Sequence, residues 1–342
     1  MKILHLGAAG GIMISFVEFN NKNFTSYDHQ FLLDAEEGYT PPRASNVTDL
    51  SRYPRWLPLW PQIREMNHAD KIILHGLFNL RIIVLLLWQP WILKRCYWVI
   101  WGGDLYASQL GPKTSKWYLK EFCKKLFVSK IGHLITHIKG DYELAKQWYG
   151  ARGIWHSCFM YPSNLYKDHC VSSESRVEIS ILLGNSAAPT NHHMDVLEQL
   201  IPYANEDVRI YCPLSYGGFA NADKIEQEGK KIFGEKFIAL RHLMPIKEYV
   251  ELLSKVDIAL FNHDRQQAVG NITSLLGLGK KVYLRKGVTT WKMLTNMGIV
   301  VYDISKIELT KISKDVANRN IKIIQNNFTE KKLKEQWSKI YE

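Results

Sequence analysis

The residues best suited to chemistry lie in the stretch 261–285, FNHDRQQAVGNITSLLGLGKKVYLR. Six consecutive polar side chains, Asn262, His263, Asp264, Arg265, Gln266 and Gln267, follow an apolar run. They lead into Gly270 and Asn271, where a helix can begin. The first N–H groups of a helix have no intrahelical partner, and the helix dipole places positive charge beside them. With the Arg265 guanidinium close in sequence, such a turn suits a diphosphate. An ordinary strand-to-helix turn with solvated polar residues has the same composition, so context must decide.

In parallel α/β sheets, ligands bind beyond the carboxyl ends of the strands. Polar residues directly after predicted strands are therefore the candidates. In the first half these are His5 with Gly7, then His75 and Asn79 in HGLFN, then Trp101, Gly103, Asp104 and Tyr106 in WGGDLY. In the second half they are Gly184, Asn185 and Ser186, ahead of a helix near Asn191, then Tyr216 in PLSYGG, then the loop 262–267. Small residues such as Gly184 and Ser186 let backbone approach a phosphate or sugar closely. Asp104 has the position of a proton acceptor and equally that of a helix N-cap. His75 reads either as a base or as a structural histidine holding the backbone. There is no Walker A pattern, no GxGxxG with a ribose-binding acid and no Gly-x-Ser-x-Gly elbow, which disfavours P-loop, dinucleotide and hydrolase chemistry. No Asp-x-Asp clamp occurs, and the histidines, His192 and His193 included, lack metal-ligand spacing.

The elements that must position these residues alternate along the chain. Short, apolar, β-branched runs at 2–6, 31–33, 71–75, 97–101 and 133–136 read as strands covered on both faces. A second series follows at 177–183, 208–212, 237–240, 256–261, 281–284 and 299–302. Its helices are expected at 191–201, 222–233, 246–255, 271–277, 289–296 and from 313 to the end. Residues 39–61, rich in Pro, Arg and Trp, read mostly as loop, and the serine-bearing stretch 166–177 as a linker. Two successive series of domain size predict an α/β protein with two doubly wound Rossmann-like domains facing across a cleft. The expected domains are 1–168 and 177–325, with a helix over 326–342 that can cross back to the first.

The chain has 342 residues, 46% hydrophobic and 23% charged, as in a globular protein. Its net charge of +11 asks for an anionic partner: nucleic acid, anionic lipid or a phosphorylated small molecule. Five scattered cysteines form no CxxC pair, which fits a reducing compartment. The N-terminal 17 residues are apolar, but His5 and three glycines interrupt them, so a first strand is the better reading than a signal peptide. The most hydrophobic stretch, 80–93, is too short to span a bilayer and reads as a buried helix. The segment 111–130 carries Lys113, Lys116, Lys120, Lys124 and Lys125 interleaved with Trp117 and other large apolar residues. A basic amphipathic helix of this kind can lie on an anionic membrane, or it can turn its apolar side to the core and its lysines to water.

Taken together, ILHLG at 3–7, HGLFN at 75–79, IWGGDLY at 100–106, ILLGNSAAPTNHH at 181–193, RQQAVG at 265–270 and LLGLGKKVYL at 275–284 carry a resemblance. In order and spacing, along nearly the whole chain, they are similar to the TDP-Fuc4NAc:lipid II Fuc4NAc transferases (the 4-alpha-L-fucosyltransferase family, glycosyltransferase family 56). The resemblance implies a GT-B fold and an inverting, metal-independent glycosyltransferase without a cofactor. The donor it implies is a dTDP-activated 4-acetamido-4,6-dideoxyhexose. The acceptor is a polyprenyl-diphosphate-linked glycan of enterobacterial common antigen or O-antigen, met at the cytoplasmic face of the bacterial inner membrane by a peripheral protein. Residues 39–61 and 217–219 fall outside the family pattern.

On this resemblance, Gly184, Asn185, Ser186, Asn191, Tyr216, Arg265, Gln266, Gln267, Gly270 and Asn271 form the donor site, with Arg265 and the helix N-terminus meeting the diphosphate. His5, Gly7, Asn79, Trp101, Gly103 and Tyr106 belong to the acceptor side. Asp104, then His75, are the expected bases. Lys113, Lys116, Trp117, Lys120, Lys124 and Lys125 are the expected membrane contacts. The rival readings are a sugar-nucleotide epimerase or hydrolase, and a basic nucleic-acid-binding protein. The latter lacks a helix-turn-helix, zinc-finger or RNP pattern.

Overall fold

The computed structural model describes residues 1–35, 39–52, 60–167 and 178–342. The chain divides into two compact units, Met1–Asn164 with Glu330–Glu342, and Leu165–Thr329. Both are doubly wound α/β sheets, as the alternation of apolar runs predicts. The first unit runs β1 (Lys2–Ala8), α1 (Gly11–Asn23), β2 (Asp28–Asp34), β3 (Val47–Asp49), α2 (Trp60–His68), β4 (Lys71–His75), α3 (Leu80–Trp88), β5 (Cys96–Val99), α4 (Gly102–Leu105), α5 (Ala107–Leu110), α6 (Ser115–Val128), β6 (His133–Ile135), α7 (Lys139–Tyr149) and β7 (Ile154–His156). Its seven strands lie in the order β3-β2-β1-β4-β5-β6-β7. The order reverses between β1 and β4, and at such a switch point the crevice beyond the strand ends is open.

The second unit runs β8 (Ile179–Leu183), α8 (His193–Leu200), β9 (Val208–Pro213), α9 (Phe219–Phe233), β10 (Phe237–Leu240), α10 (Ile246–Lys255), β11 (Ile258–Phe261), α11 (Val269–Gly277), β12 (Lys281–Leu284), α12 (Thr289–Asn296), β13 (Tyr302–Asp303) and α13 (Lys314–Asn327). The six strands take the order β10-β9-β8-β11-β12-β13. Here the switch point lies between β8 and β11. Every strand pair in both sheets is parallel. The central strands are buried on both faces, which is why they read as unbroken apolar runs.

Several boundaries differ from the sequence reading. The helix expected from 313 onward is two helices, α13 and α14 (Glu330–Tyr341), the first ending at a C-cap on Phe328. Helix α14 packs into the first unit: Tyr341 donates to Asn20 Oδ1 at 2.6 Å, and Lys71 Nζ donates to the carbonyls of Ile340 and Tyr341. Strand β3 lies within 39–61, which reads as loop in sequence; residues 53–59 of that stretch are outside the described residues, as are 168–177 of the expected linker. The apolar stretch 80–93 is a helix that buries Ile82, Ile83, Leu85 and Leu86, followed by a 3₁₀ turn from Pro90. Among the described residues no helix is long and apolar enough to cross a membrane.

Candidate active site

In the second unit the loops after β8, β9 and β11 meet in one hydrogen-bonded rim. Gly184 leaves β8 with φ +68, and a Cβ there would lie 2.5 Å from His193 Nε2 and 2.9 Å from Asn191 Oδ1, so only glycine fits. Asn185 donates its backbone N–H to Asn191 Oδ1 at 3.1 Å and its amide to the Tyr216 hydroxyl at 2.9 Å. Gln267 donates to Asn185 Oδ1 at 2.7 Å, and Thr190 donates to Gln267 Oε1 at 2.9 Å. Asn191 donates to Ser186 Oγ at 3.2 Å. Its Oδ1 also accepts from His263 Nε2 at 2.9 Å, which fixes the proton of that ring on Nε2. Burial, helped by the Arg265 charge, pushes His263 down to about 3, so this ring is neutral at pH 7.

Helix α11 opens beside this rim. Its N-cap, Ala268, is left-handed at φ 56 and no side chain caps the helix, which leaves the N–H groups of its first turn for another acceptor. Among the described residues four non-glycine residues have positive φ, and two of them, His192 and Ala268, flank this rim. Such conformations persist where surrounding contacts impose them, and they concentrate at functional sites. Arg265, Gln266, Gly270 and Asn271 are half-buried here. Arg265 donates to the Gln266 carbonyl at 3.0 Å, and Asn271 donates to the Tyr249 hydroxyl at 2.9 Å. Gly184, Asn185, Ser186, Asn191, Tyr216 and Gln267 thus come together. Ser186 and Asn191 are buried and shape the loop, while Tyr216 stands exposed at its edge. Thr190, Tyr249 and Arg285 join the network without having been singled out in sequence. Arg285 directly follows β12, so the strand-end rule reaches it; Tyr249 lies inside α10, where no such signal exists.

The first unit divides its candidates differently. Asp104 is 1% exposed. Its Oδ2 accepts from Leu77 N at 2.8 Å and Trp98 Nε1 at 2.7 Å, and its Oδ1 accepts from Trp101 N at 2.9 Å. Burial raises this carboxyl to about 6, against the opposing pull of Lys124 and of its donors. This geometry makes Asp104 the cap that fastens the HGLFN and WGGDLY turns together. His75 is also buried, with Nε2 3.1 Å from His5 Nδ1 and Nδ1 2.7 Å from the Tyr161 hydroxyl. His5, Gly7 and Tyr106 lie in the interior, Tyr106 with its ring against Trp148. The two expected bases, Asp104 and His75, and the expected acceptor-side residues His5, Gly7 and Tyr106 thus all lie inside the fold. Asn79, Trp101 and Gly103 do reach the surface, where the Phe78 ring stands edge-on to Trp101.

A pocket of about 430 Å³ opens here at the carboxyl ends of β2 and β4, with Asp34, Ser51, Asn79 and Arg81 in its wall. Asp34 and Arg81 are absent from the sequence candidates. Asp34 is the polar residue that ends the apolar run 31–33, so the strand-end rule, applied there, finds it. Among the described residues no three His, Cys, Asp or Glu side chains are grouped so as to hold a metal ion.

Helix α6 is built inside out. Thr114 caps it, accepting from Trp117 N, and its inward stripe is Glu121, Lys124, Phe127 and Val128. Lys124 is 0% exposed, which corrects its expected place among the membrane contacts. Trp117 is half-buried, its Nε1 donating to the Ala107 carbonyl. Facing outward are Tyr118, Leu119 and Phe122, 57%, 61% and 62% exposed, with Leu126 beyond them. At about 100° per residue these four share one face, and the exposed Lys116 and Lys125 flank it on either side. Lys113 is exposed, and Lys120 donates to the Phe78 carbonyl at 2.7 Å.

This two-sheet architecture recurs in solved structures. HepE from Anabaena, solved with UDP and glucose, matches with a TM-score of 0.68 at 13% identity, over 100% of this chain and 99% of its own. Sucrose-phosphate synthase from Thermosynechococcus elongatus matches with a TM-score of 0.68 at 9% identity, over 100% and 98%. WaaG, a glycosyltransferase involved in lipopolysaccharide biosynthesis, gives 0.61 at 10% identity, over 99% and 93%. At these identities the likeness is one of fold, and the fold is that of the GT-B glycosyltransferases. The chain belongs to glycosyl transferase group 56, the 4-alpha-L-fucosyltransferase family, whose model matches residues 60–341. It is an inverting nucleotide-sugar glycosyltransferase that acts on lipid-linked acceptors, as the motif resemblance implies.

Proposed function

We propose that the protein transfers a 4-acetamido-4,6-dideoxyhexose from its dTDP derivative to a polyprenyl-diphosphate-linked glycan, in the synthesis of enterobacterial common antigen or O-antigen. The observation that carries this reading is the Gln267–Asn185 hydrogen bond of 2.7 Å, which joins the loops after β8 and β11 beside the uncapped start of α11. Arg265 and the N–H groups of the first helical turn meet the diphosphate and stabilise it as it leaves, supplying fixed charge and dipole where negative charge develops. Gln266 and Tyr216 border the same rim and read the sugar or base. The neutral His263 holds Asn191 and adds no charge of its own.

The acceptor arrives with a lipid tail, and the exposed apolar face of α6 suits the surface that carries it. Burying Tyr118, Leu119, Phe122 and Leu126 among headgroups removes them from water, and Lys116 and Lys125 pair with anionic lipid. This supports a peripheral protein at the cytoplasmic face of the inner membrane. Incubation of the protein with labelled dTDP-4-acetamido-4,6-dideoxyhexose and bacterial lipid extract is expected to move label into the lipid fraction. Donor loss that is independent of acceptor would instead mark a hydrolase or epimerase. A thermal-shift series is expected to rank dTDP above UDP and ADP, and equal shifts would remove the thymidine assignment.

A further inference from the structure

The pocket beside β2 holds an arrangement that the donor rim does not explain. Asp34 closes β2, and its Oδ2 accepts a hydrogen bond from Asn79 Nδ2. Asn79 is itself fixed, because its Oδ1 caps α3 by accepting from Arg81 N at 2.8 Å. One carboxylate oxygen is thus held from behind, in a wall that also carries Arg81. Among the described residues, Arg81 Nη2 is buried with no hydrogen-bond partner, and so is Gln62 Oε1. Both residues line a second, smaller cavity of about 20 Å³ that shares Asp34, Asn79 and Arg81 with this pocket and reaches Leu6 of β1. A buried polar atom without a partner forfeits the hydrogen bonds it made in water. A donor and an acceptor in this condition beside one half-buried carboxylate are a site waiting for a polar ligand.

Resting on the reading of the chain as a transferase to a glycan acceptor, we propose that this pocket receives the reacting sugar of the acceptor, with Asp34 as the base and Arg81 as the contact for an anionic group on the acceptor. Asp34 removes the hydroxyl proton, which passes to its carboxylate. The acceptor oxygen bonds to the anomeric carbon of the donor. The bond from that carbon to the diphosphate oxygen breaks, and its electron pair leaves with the nucleoside diphosphate. Asn79 keeps the carboxylate oriented through the step. Arg81 offers a planar pair of N–H groups, which suits a sugar carboxylate or a lipid phosphate alike. Asp104 and His75 are buried and partners occupy their polar atoms, whereas Asp34 stands in the pocket wall.

The test compares Asp34→Asn, Asp34→Glu and Arg81→Ala in transfer and in dTDP thermal shift. Asp34→Asn is isosteric and is expected to lower kcat at least ~100-fold, the range for loss of a general base, with the dTDP shift unchanged. Asp34→Glu keeps a carboxylate and is expected to retain clearly more activity than Asp34→Asn. Asparagine and glutamate variants of equal activity, or an Asp34→Asn rate within about tenfold of wild type, overturn the assignment. Arg81→Ala is expected to raise KM for the acceptor about tenfold or more and leave KM for the donor unchanged. Soluble acidic sugars and neutral sugars on a lipid diphosphate then tell which anion Arg81 meets, and no rise with either overturns its role. A wild-type protein that transfers nothing would fail the parent reading, whereas an active wild type with an equally active Asp34→Asn fails this one alone.

Discussion

Lys124 donates from Nζ to the backbone oxygen of Asp104 at 2.7 Å, tying α6 to the turn that follows β5. The same ammonium meets both Glu121 oxygens at 3.1 Å and the Tyr149 hydroxyl at 2.8 Å. Burial pulls the lysine pKa down, while Glu121 and Asp104 pull it back up. Removing the lysine leaves the buried Glu121 carboxylate without its counter-charge. Lys124→Ala is therefore expected to lower unfolding free energy by about 3–5 kcal/mol, the cost of breaking a buried pair. The exposed neighbour serves as control, and Lys125→Ala is expected to change stability by less than about 0.5 kcal/mol. Urea denaturation decides, and equal losses in the two variants would place Lys124 outside the core.

Three buried histidines of the first unit, His75, His5 and His29, form a hydrogen-bonded chain. Trp101 Nε1, which can only donate, gives its proton to the Tyr161 hydroxyl at 2.9 Å, and that hydroxyl lies 2.7 Å from His75 Nδ1. His75 Nε2 lies 3.1 Å from His5 Nδ1, and His5 Nε2 lies 3.0 Å from His29 Nδ1. A second proton on any of these rings would set two donors against each other or charge a buried ring. Burial holds His75 down to about 3 and His29 to about 4, and it holds His5 well below 6.5. The folded values lie below the unfolded one, so the unfolded chain binds more protons across this window. The stabilisation is present above pH 6.5 and is lost as pH falls through 6.5 towards 3–4. At pH 5 the His75 contribution alone is a loss of about 2 kcal/mol. Tm is expected to fall steeply between pH 6.5 and 4, and less steeply in His75→Gln. A wild-type Tm that is flat over that range would rule out a neutral chain.

That the loops after β8 and β11 carry the polar residues of one rim was legible because the signals are local. Gly184, Asn185 and Arg265 stand at the ends of long apolar runs, where a doubly wound sheet must expose its loops. The orientation of α6 was not legible. Lysines and large apolar residues alternate along it, and spacing alone does not say which stripe faces inward; the contacts of Lys124 with Asp104 and Tyr149 decide that. Strands β3 and β7 have three residues each, Val-Thr-Asp and Ile-Trp-His, and neither forms a continuous apolar run. Asp104 reads in sequence as a base or as a helix N-cap alike, and its partners Leu77, Trp98 and Trp101 are those of a cap.

At the donor rim, Arg265 supplies the side-chain cation beside the first turn of α11. Arg265→Ala is expected to lower turnover at least about tenfold with the Tm unchanged, since one preorganised donor to a developing charge is worth that much or more. Gln267→Ala removes both the bond to Asn185 and the bond from Thr190, so it is expected to weaken the dTDP thermal shift as well. Chelation with EDTA is expected to leave the rate unchanged, because the family resemblance assigns the charge of the leaving group to fixed donors. Near-normal turnover in Arg265→Ala, measured with saturating donor, would remove Arg265 from the diphosphate site.

The outward face of α6 gives a membrane prediction with two separable parts. Its apolar residues and its lysines act by different physics, so salt and lipid charge tell them apart. Lys116→Ala and Lys125→Ala are each expected to weaken binding to vesicles with about 30% anionic lipid by roughly fivefold, the equivalent of about 1 kcal/mol per lysine. The effect should shrink in high salt and vanish on vesicles of neutral lipid. Phe122→Ser and Leu126→Ser are expected to weaken binding at every salt concentration, because the lost term is apolar burial. Since Phe122 and Leu126 are exposed, these substitutions should leave Tm unchanged. Transfer to a lipid-linked acceptor in vesicles should fall in parallel, while transfer to a soluble acceptor analogue should not. Cosedimentation that is equal for wild type and all four variants would show that this face docks on something other than lipid.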